Sequence, residues 1–166
     1  MGLPCAGSFA AGAGLSAAWG RIFFLYGPHE ARARLVPSVI LSLLDGQAAR
    51  CTHGQQVRDF LHVEDVADAF AALLDSAVVG PVNVGSGQAV KIAEVVGAIA
   101  AQLGRPELVQ LGAVAAPAND LPRVVANVRR LREEVHWSPR YDLESGLRQT
   151  IAWWRAALAA EGGQGR

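Results

Sequence analysis

The chain has 166 residues, 51% of them hydrophobic and 18% charged, and its 15 Lys and Arg residues balance 15 Asp and Glu residues. This length suits one globular domain, and the low charged fraction excludes a disordered chain. A net charge of zero argues against nucleic acid or an anionic membrane as the main partner, and no segment is apolar enough to span a bilayer. Two cysteines are too few for a disulfide framework, so we expect a reducing, cytoplasmic setting.

Apolar runs and turn residues predict strands that alternate with helices. Residues 18–26 are apolar and aromatic and end at Gly27-Pro28, which predicts a central parallel strand buried on both faces. The further predicted elements are a helix over 35–44, an edge strand over 48–52, a strand over 57–62, an amphipathic helix after residues 63–65, a strand over 81–84, a helix over 92–103, a strand over 108–111, and helices over 128–135 and 143–158. This alternation predicts an α/β fold with parallel strands.

Two glycine-containing segments imitate a dinucleotide-binding turn. Residues 12–17 (GAGLSA) satisfy G-x-G-x-x-A, but they precede a predicted strand instead of following one. Gly85-Ser86-Gly87 lies between a predicted strand and a predicted helix, with Glu107 where a ribose-binding acid is sought, but the third glycine is missing. We interpret this second segment as a turn that joins strand to helix.

The histidines form no metal-binding or catalytic pattern. His29, His53, His62 and His136 show neither HxxxH nor HExxH spacing, and the chain has no G-x-S-x-G elbow. We therefore predict neither a metal site nor a nucleophilic hydrolase site.

Three segments resemble motifs of the extended short-chain dehydrogenase/reductase family, the NAD(P)-dependent nucleotide-sugar epimerases and dehydratases. Residues 21–28 (RIFFLYGP) are similar to R-x-F-N-x-Y-G-P, and residues 58–67 (RDFLHVEDVA) have every fixed position of R-D-F-x-x-V-x-D-x-A. Residues 83–87 (NVGSG) are similar to N-x-G-S-G. Weaker support comes from residues 119–120 (ND), in the place of a late Gly-Asp pair, and from residues 143–147 (LESGL).

This resemblance implies an α/β fold that corresponds to the carboxy-terminal part of a Rossmann-like enzyme of the family, with its small substrate-binding domain. Residues 18–160 would hold the last Rossmann strand or strands and the substrate-binding domain. Residues 1–17 would be a remnant or irregular segment, with residues 9–11 as the end of a preceding helix, and residues 161–166 a frayed tail.

The resemblance also implies a phosphate-binding residue. In such enzymes an arginine holds the pyrophosphate of the sugar nucleotide, because its planar fork matches phosphate oxygens. By motif position that residue is Arg58, and the alternative is a surface ion pair between Arg58 and Asp59. Asp65 would lie at the start of the next helix, where a carboxylate suits the helix dipole.

Other positions carry weaker expectations. Ile22 and Phe23 match positions that flank the nicotinamide, and Leu35 matches one near the sugar nucleotide; core packing is the alternative for each. Phe24 stands where the family usually has a substrate-binding Asn, so that hydrogen bond is lost or replaced by packing. Residues 116–118 (APA) replace a second phosphate-binding arginine, which puts tight diphosphate binding in doubt.

The catalytic pair of the family cannot form within this sequence. That pair is Tyr-x-x-x-Lys, in which the lysine lowers the pKa of a tyrosine that acts as general acid and base. Lys91 is the only lysine, and the residue four positions before it is Gly87. We therefore predict no catalytic residues here, and we expect NAD or NADP, which the family implies, not to be bound by this chain alone.

Two functional hypotheses remain from the sequence. The first is a nucleotide-sugar-binding portion of an NAD(P)-dependent epimerase or dehydratase, inactive alone. The second is a non-catalytic protein-interaction module derived from the same fold. Because the strand over 18–26 would lack neighbouring strands, we expect it to have an exposed apolar face. Either a second copy of the chain or a separate amino-terminal subunit would cover this face.

Overall fold

A computed structural model describes residues 12–163 as short strands that alternate with helices. The strands are β1 (Ala18–Ile22), β2 (Phe24–Tyr26), β3 (Ala49–Arg50), β4 (Val57–Arg58), β5 (Phe60–His62), β6 (Gly80–Val84), β7 (Val90–Lys91), β8 (Val109–Gln110) and β9 (Arg123–Val124). The α-helices are α1 (Leu35–Leu44), α2 (Val63–Asp75), α3 (Ile92–Leu103), α4 (Arg129–Glu133) and α5 (Leu143–Gly163). A 3-10 turn spans Pro106–Leu108.

Most strand pairs are parallel. β1 pairs with β6, β2 with β5 and β3 with β8, all in parallel. β4 lies between β7, which is antiparallel to it, and β9, which is parallel. The predicted α/β class with parallel strands is confirmed.

Two predicted strands are each divided in the structure. The first divides at Phe23 into β1 and β2, and the strand predicted over 57–62 divides at Asp59 into β4 and β5. The N–H of Phe23 donates to the carbonyl of Val84 at 3.1 Å, and the N–H of Phe24 donates to the carbonyl of Asp59 at 3.2 Å. The chain thus leaves β6 and joins β5 within one residue. A continuous apolar run does not reveal this change of partner.

The expectation that the first strand is buried on both faces is wrong for β1. Trp19 and Ile22 are 43% and 45% exposed. Among residues 12–163, β6 is the only strand that pairs with β1. On one face the ring of Phe70, from α2, lies so close to Gly20 that a Cβ there would approach it to 2.4 Å. The exposure follows from this single partner strand, because unpaired strand edges and uncovered faces stay open to solvent.

Two hydrophobic clusters fill the interior. The larger one joins α1, α3 and α5 with Tyr26 of β2. The smaller one joins α2, α4, β5 and β6. Arg58, in β4, directly precedes Asp59 and β5, whose Phe60 packs against the larger cluster and whose Leu61 belongs to the smaller one.

The element ends differ from the prediction at a few places. α1 and α3 have the predicted bounds, whereas α5 continues past residue 158 to Gly163, and Glu161 in its last turns pairs with Arg32 at 2.5 Å. β7 and β9 were not predicted, because two-residue strands show no alternation. α4 ends before His136, which has a φ of 59°. The helix end expected at residues 9–11 lies outside the described residues.

Within residues 12–163, no helix is both long and apolar enough to cross a membrane.

Candidate functional site

A cavity of about 420 Å³ lies beside β2, β4 and the first turns of α1 and α3. Phe24, Leu35 and Arg58, the residues expected near the substrate, all line it. Its charged walls also include Glu30, Arg34 and Asp120. The fold therefore brings together three side chains that are distant in the sequence and that the family resemblance places near the substrate.

Arg58 is held inside the wall of this cavity. Its side chain is only 5% exposed, and its guanidinium forms an ion pair with the carboxylate of Asp120. A second N–H of the guanidinium donates to the carbonyl of Val57 at 2.9 Å. The other oxygen of Asp120 accepts a hydrogen bond from the side-chain amide of Gln56 at 3.0 Å. Since a guanidinium has five N–H donors, this arrangement orients Arg58 and leaves donors for a ligand.

Phe24 packs against the same guanidinium. The guanidinium carbon of Arg58 lies 5.4 Å from the centre of the Phe24 ring, which is within the range of a cation–π contact. Phe24 also packs at a tilted angle against Phe60, with ring centres 6.1 Å apart. Packing has therefore replaced hydrogen bonding at the position where the family usually has Asn.

Asp59 does not pair with Arg58, so the alternative of a surface ion pair between them is wrong. Asp59 is fully buried, and its carboxylate accepts four hydrogen bonds. The donors are the N–H and the hydroxyl of Ser86 and the N–H groups of Gly87 and Ala126, at 2.7 to 3.0 Å. No motif or spacing in the sequence indicated this role. Asp59 ties the two family motifs, RDF and NVGSG, to each other.

The turn after β6 is shaped around Asp59. A Cβ at Gly85 would lie 2.9 Å from a carboxylate oxygen of Asp59 and 2.7 Å from the side chain of Ala126, so the close approach requires glycine. The N–H groups of Ser86 and Gly87 already donate to Asp59. This segment is therefore a structural turn, as interpreted from the sequence, and its N–H groups do not form a phosphate cradle.

The second glycine segment does not form a cradle either. Residues 12–17 lead into β1, and a pyrophosphate-binding turn must instead follow a strand and open a helix. Glu107, the candidate ribose-binding acid, lies exposed in the 3-10 turn. Within residues 12–163, these two segments give NAD no phosphate-binding turn.

The two residues expected near the nicotinamide lie outside the cavity. Ile22 ends β1 opposite Val84, and Phe23 follows it at the point where the strand changes partner. Phe23 packs in part against the smaller cluster, whereas Ile22 is nearly half exposed. Contact of either residue with a cofactor stays a prediction.

Glu30 and Arg34 are cavity residues that no sequence motif indicated. Glu30 lies in the loop before α1, and Arg34 directly precedes that helix. Their side chains form a loose ion pair, with 3.6 Å from the Arg34 Nε to a Glu30 oxygen. Burial raises the pKa of Glu30, and the nearby Arg34 opposes this shift. Their spacing of four residues was visible, but nothing in it indicated a cavity.

Asp65 lies in the first turn of α2, as predicted, and is fully buried. Its carboxylate accepts hydrogen bonds from the backbone N–H groups of Arg140 and Tyr141, both at 3.0 Å. It therefore joins α2 to the segment that leads into α5.

His62 is buried and lies 3.0 Å from the amide oxygen of Gln149. Within residues 12–163, no three His, Cys, Asp or Glu side chains form a group that could hold a metal ion.

Comparisons with known proteins place this chain among nucleotide-sugar enzymes. The sequence matches the NAD dependent epimerase/dehydratase family over residues 4–85. A dTDP-glucose 4,6-dehydratase from Xanthomonas campestris is 33% identical over 139 residues, which cover 78% of this chain and 40% of that protein. The fold resembles dTDP-glucose 4,6-dehydratase from Bacillus anthracis in complex with NAD, with a TM-score of 0.81, 26% identity, and coverage of 90% of this chain and 48% of that one.

A third relative was solved with both a nucleotide sugar and a cofactor. MoeE5 in complex with UDP-glucuronic acid and NAD has a TM-score of 0.77 and 30% identity, and the match covers 86% of this chain and 48% of that one. This chain therefore spans about 40% of the length of curated relatives and about half of the solved chains.

The fold and the motifs together define the class as an extended short-chain dehydrogenase/reductase with a Rossmann-like architecture. The chain belongs to the NAD-dependent epimerase/dehydratase family. The relatives that it matches carry the names of enzymes that act on nucleotide sugars.

Proposed function

We propose that this chain forms the nucleotide-sugar-binding part of an NAD(P)-dependent epimerase or dehydratase, and that Arg58 binds the diphosphate of the sugar nucleotide. The observation that carries the proposal is the position of Arg58. A guanidinium that is buried, oriented by Asp120 and Phe24, and open to a cavity of about 420 Å³ has the properties of an anion-binding residue.

Arg34 supports this proposal as a second cation. Residues 116–118 lack the arginine that many family members carry there, and Pro117 from this segment lines the cavity. Arg34, directly before α1, lines the same cavity, and its side chain is 62% exposed. We propose that it closes over the diphosphate when a ligand binds.

Calorimetric titration with dTDP-glucose and UDP-glucose tests the proposal. Arg58→Ala removes charge-assisted hydrogen bonds and should weaken binding by about 100-fold. Arg155→Ala is the control, because this exposed arginine of α5 lies outside the cavity. Arg58→Lys keeps the charge that faces Asp120 but loses the fork, so it should fold and bind weakly. Absence of binding by a folded wild-type chain contradicts the proposal.

We also propose that the 166-residue chain does not carry out the reaction alone, because it contains no Tyr-x-x-x-Lys pair. An assay of dTDP-glucose turnover with added NAD or NADP tests this. Turnover by the purified chain would contradict it.

A second candidate is a non-catalytic interaction module, and the exposed apolar side chains of β1 and α2 favour it. Trp19, Ile22, Phe70 and Leu74 are all more than a third exposed. We propose that this apolar surface receives the cofactor-binding part of an enzyme of the family, on the same or on a separate polypeptide. Arg58→Ala separates the candidates, since it should weaken sugar-nucleotide binding by about 100-fold under the first and have little effect on it under the second.

A further inference from the structure

Glu30 has a buried carboxylate that accepts no hydrogen bond from the other residues of the range 12–163. Its side chain is only 10% exposed, and the residue lines the cavity of Arg58. One oxygen faces Arg34 at 3.6 Å, which is too long for a hydrogen bond. The other oxygen, Oε2, is buried and accepts no hydrogen bond from the described residues.

Buried carboxylate oxygens are normally satisfied, because an unpaired buried acceptor loses its water without compensation. Three other acids of the described residues follow this rule. Asp59 and Asp65 accept hydrogen bonds with both of their oxygens, and so does Asp120. Glu30 is therefore the exception among these four acids, and it is the one that faces the cavity without a hydrogen-bond donor.

The chemistry of the oxygen restricts its partner. A carboxylate accepts hydrogen bonds, whereas a diphosphate at neutral pH offers acceptors and negative charge, so the two repel each other. A sugar hydroxyl offers the donor that Glu30 lacks. Rotation about the last side-chain bond of a glutamate is soft, so either oxygen can turn toward such a donor.

The neighbourhood of Glu30 favours the hexose over the nucleoside. A second cavity, lined by Arg50, Thr52 and Gln56, adjoins the first and shares Leu35, Pro117 and Asp120 with it. Glu30 and Phe24 line only the first cavity. A sugar nucleotide with its diphosphate on Arg58 can place its nucleoside in the second cavity and its hexose beside Glu30.

We infer that Glu30 is a specificity-determining residue that accepts a hydrogen bond from a hydroxyl group of the hexose. The inference rests on the proposed function of the cavity, because it takes the diphosphate to lie on Arg58. It adds a sugar contact that neither the motifs nor the relatives assign.

The test compares Glu30→Gln with wild type in calorimetric titrations of dTDP-glucose and dTDP, which differ by the glucosyl group. Glu30→Gln should weaken dTDP-glucose binding by about tenfold and dTDP binding by less than about twofold, since only the sugar contact loses its charge assistance. Glu144→Gln is the matched control. It removes a glutamate from another pair with an arginine four residues later, on the exposed surface of α5.

Stability gives an independent readout. If Glu30 served folding, its substitution would lower the stability of the chain. Glu30→Gln instead removes a buried charge that only a loose ion pair with Arg34 compensates, so this variant should unfold at the same temperature as wild type or higher. A lowered unfolding temperature, or equal losses for dTDP-glucose and dTDP, would overturn the role of Glu30 alone. A folded wild-type chain that binds neither compound would overturn the proposed function and this role with it.

Discussion

One oxygen of the Asp59 carboxylate accepts hydrogen bonds from both the backbone N–H and the hydroxyl of Ser86, each at 2.7 Å. The other oxygen accepts the N–H groups of Gly87 and Ala126. Three segments that are far apart in the sequence meet at this single side chain. The acid beside the phosphate-binding candidate is therefore a fold-determining residue.

Asp59→Asn tests this role. The substitution leaves an amide NH2 among N–H donors, and we expect the free energy of unfolding to fall by about 3 kcal/mol. Urea unfolding followed by circular dichroism measures the change. Ser86→Ala, which removes one of the four donors, should lower it by only about 1 kcal/mol. Equal losses in the two variants would mean that the carboxylate is not the centre of the network.

Tyr26 should make stability depend on pH in the alkaline range. Burial, followed by the negative charges of Asp65 and Asp142, raises the pKa of Tyr26 far above its ordinary value. The folded chain then keeps a proton that the unfolded chain releases above about pH 10, so this stability is present below that pH and is lost as the pH rises. Urea unfolding at a series of alkaline pH values should show the loss, and Tyr26→Phe should reduce it.

The second tyrosine provides the control. A hydrogen bond to Glu64 is the main cause that raises the pKa of Tyr141, which lies nearer to the surface. Tyr141→Phe should therefore keep most of the alkaline loss. If Tyr26→Phe and wild type lost stability in parallel, the assignment to Tyr26 would be wrong.

The close approach of Tyr26 to α5 should require glycine at position 146. A Cβ at position 146 would lie 2.1 Å from the Tyr26 hydroxyl, within overlap distance, so Gly146→Ala should destabilise the chain by about 2 kcal/mol. Tyr26→Phe removes the overlapping oxygen, so the same substitution in that background should lose less than about 1 kcal/mol. A double-mutant cycle from thermal unfolding measures the coupling. Additive losses would contradict the contact.

The exposed face of β1 should cause self-association of the chain. We expect the mass measured by analytical ultracentrifugation to rise with concentration, because Trp19 and Ile22 are exposed beside an apolar α2. Trp19→Lys combined with Ile22→Lys should restore a monomer, whereas Leu121→Lys, at an exposed leucine of a loop, should not. A monodisperse wild-type monomer with a sharp, concentration-independent thermal transition would contradict this prediction.

The sequence predicted the helices better than the strands. Apolar residues at helical spacing located α1 and α3 residue for residue, since a helix of several turns repeats its pattern. The division of strands at Phe23 and Asp59 was not predictable, because it depends on which neighbours the chain pairs with and not on its own apolar pattern. The same limit applies to β7 and β9.

The site was partly predictable, through motif resemblance. Phe24, Leu35 and Arg58 do share one cavity, and Asp120, which was weak support in the sequence, is the partner of Arg58. Glu30 was missed because its signal is a tertiary one, an oxygen left without a donor. No spacing of residue types encodes that property.

The contact between Phe24 and Arg58 has a thermodynamic consequence. An arginine side chain in solution samples many rotamers, and fixing it on binding is entropically unfavourable. The ring of Phe24 and the carboxylate of Asp120 already restrict those rotamers before any ligand arrives. The chain therefore bears this loss of freedom when it folds, and a ligand that binds at Arg58 meets a preorganised guanidinium.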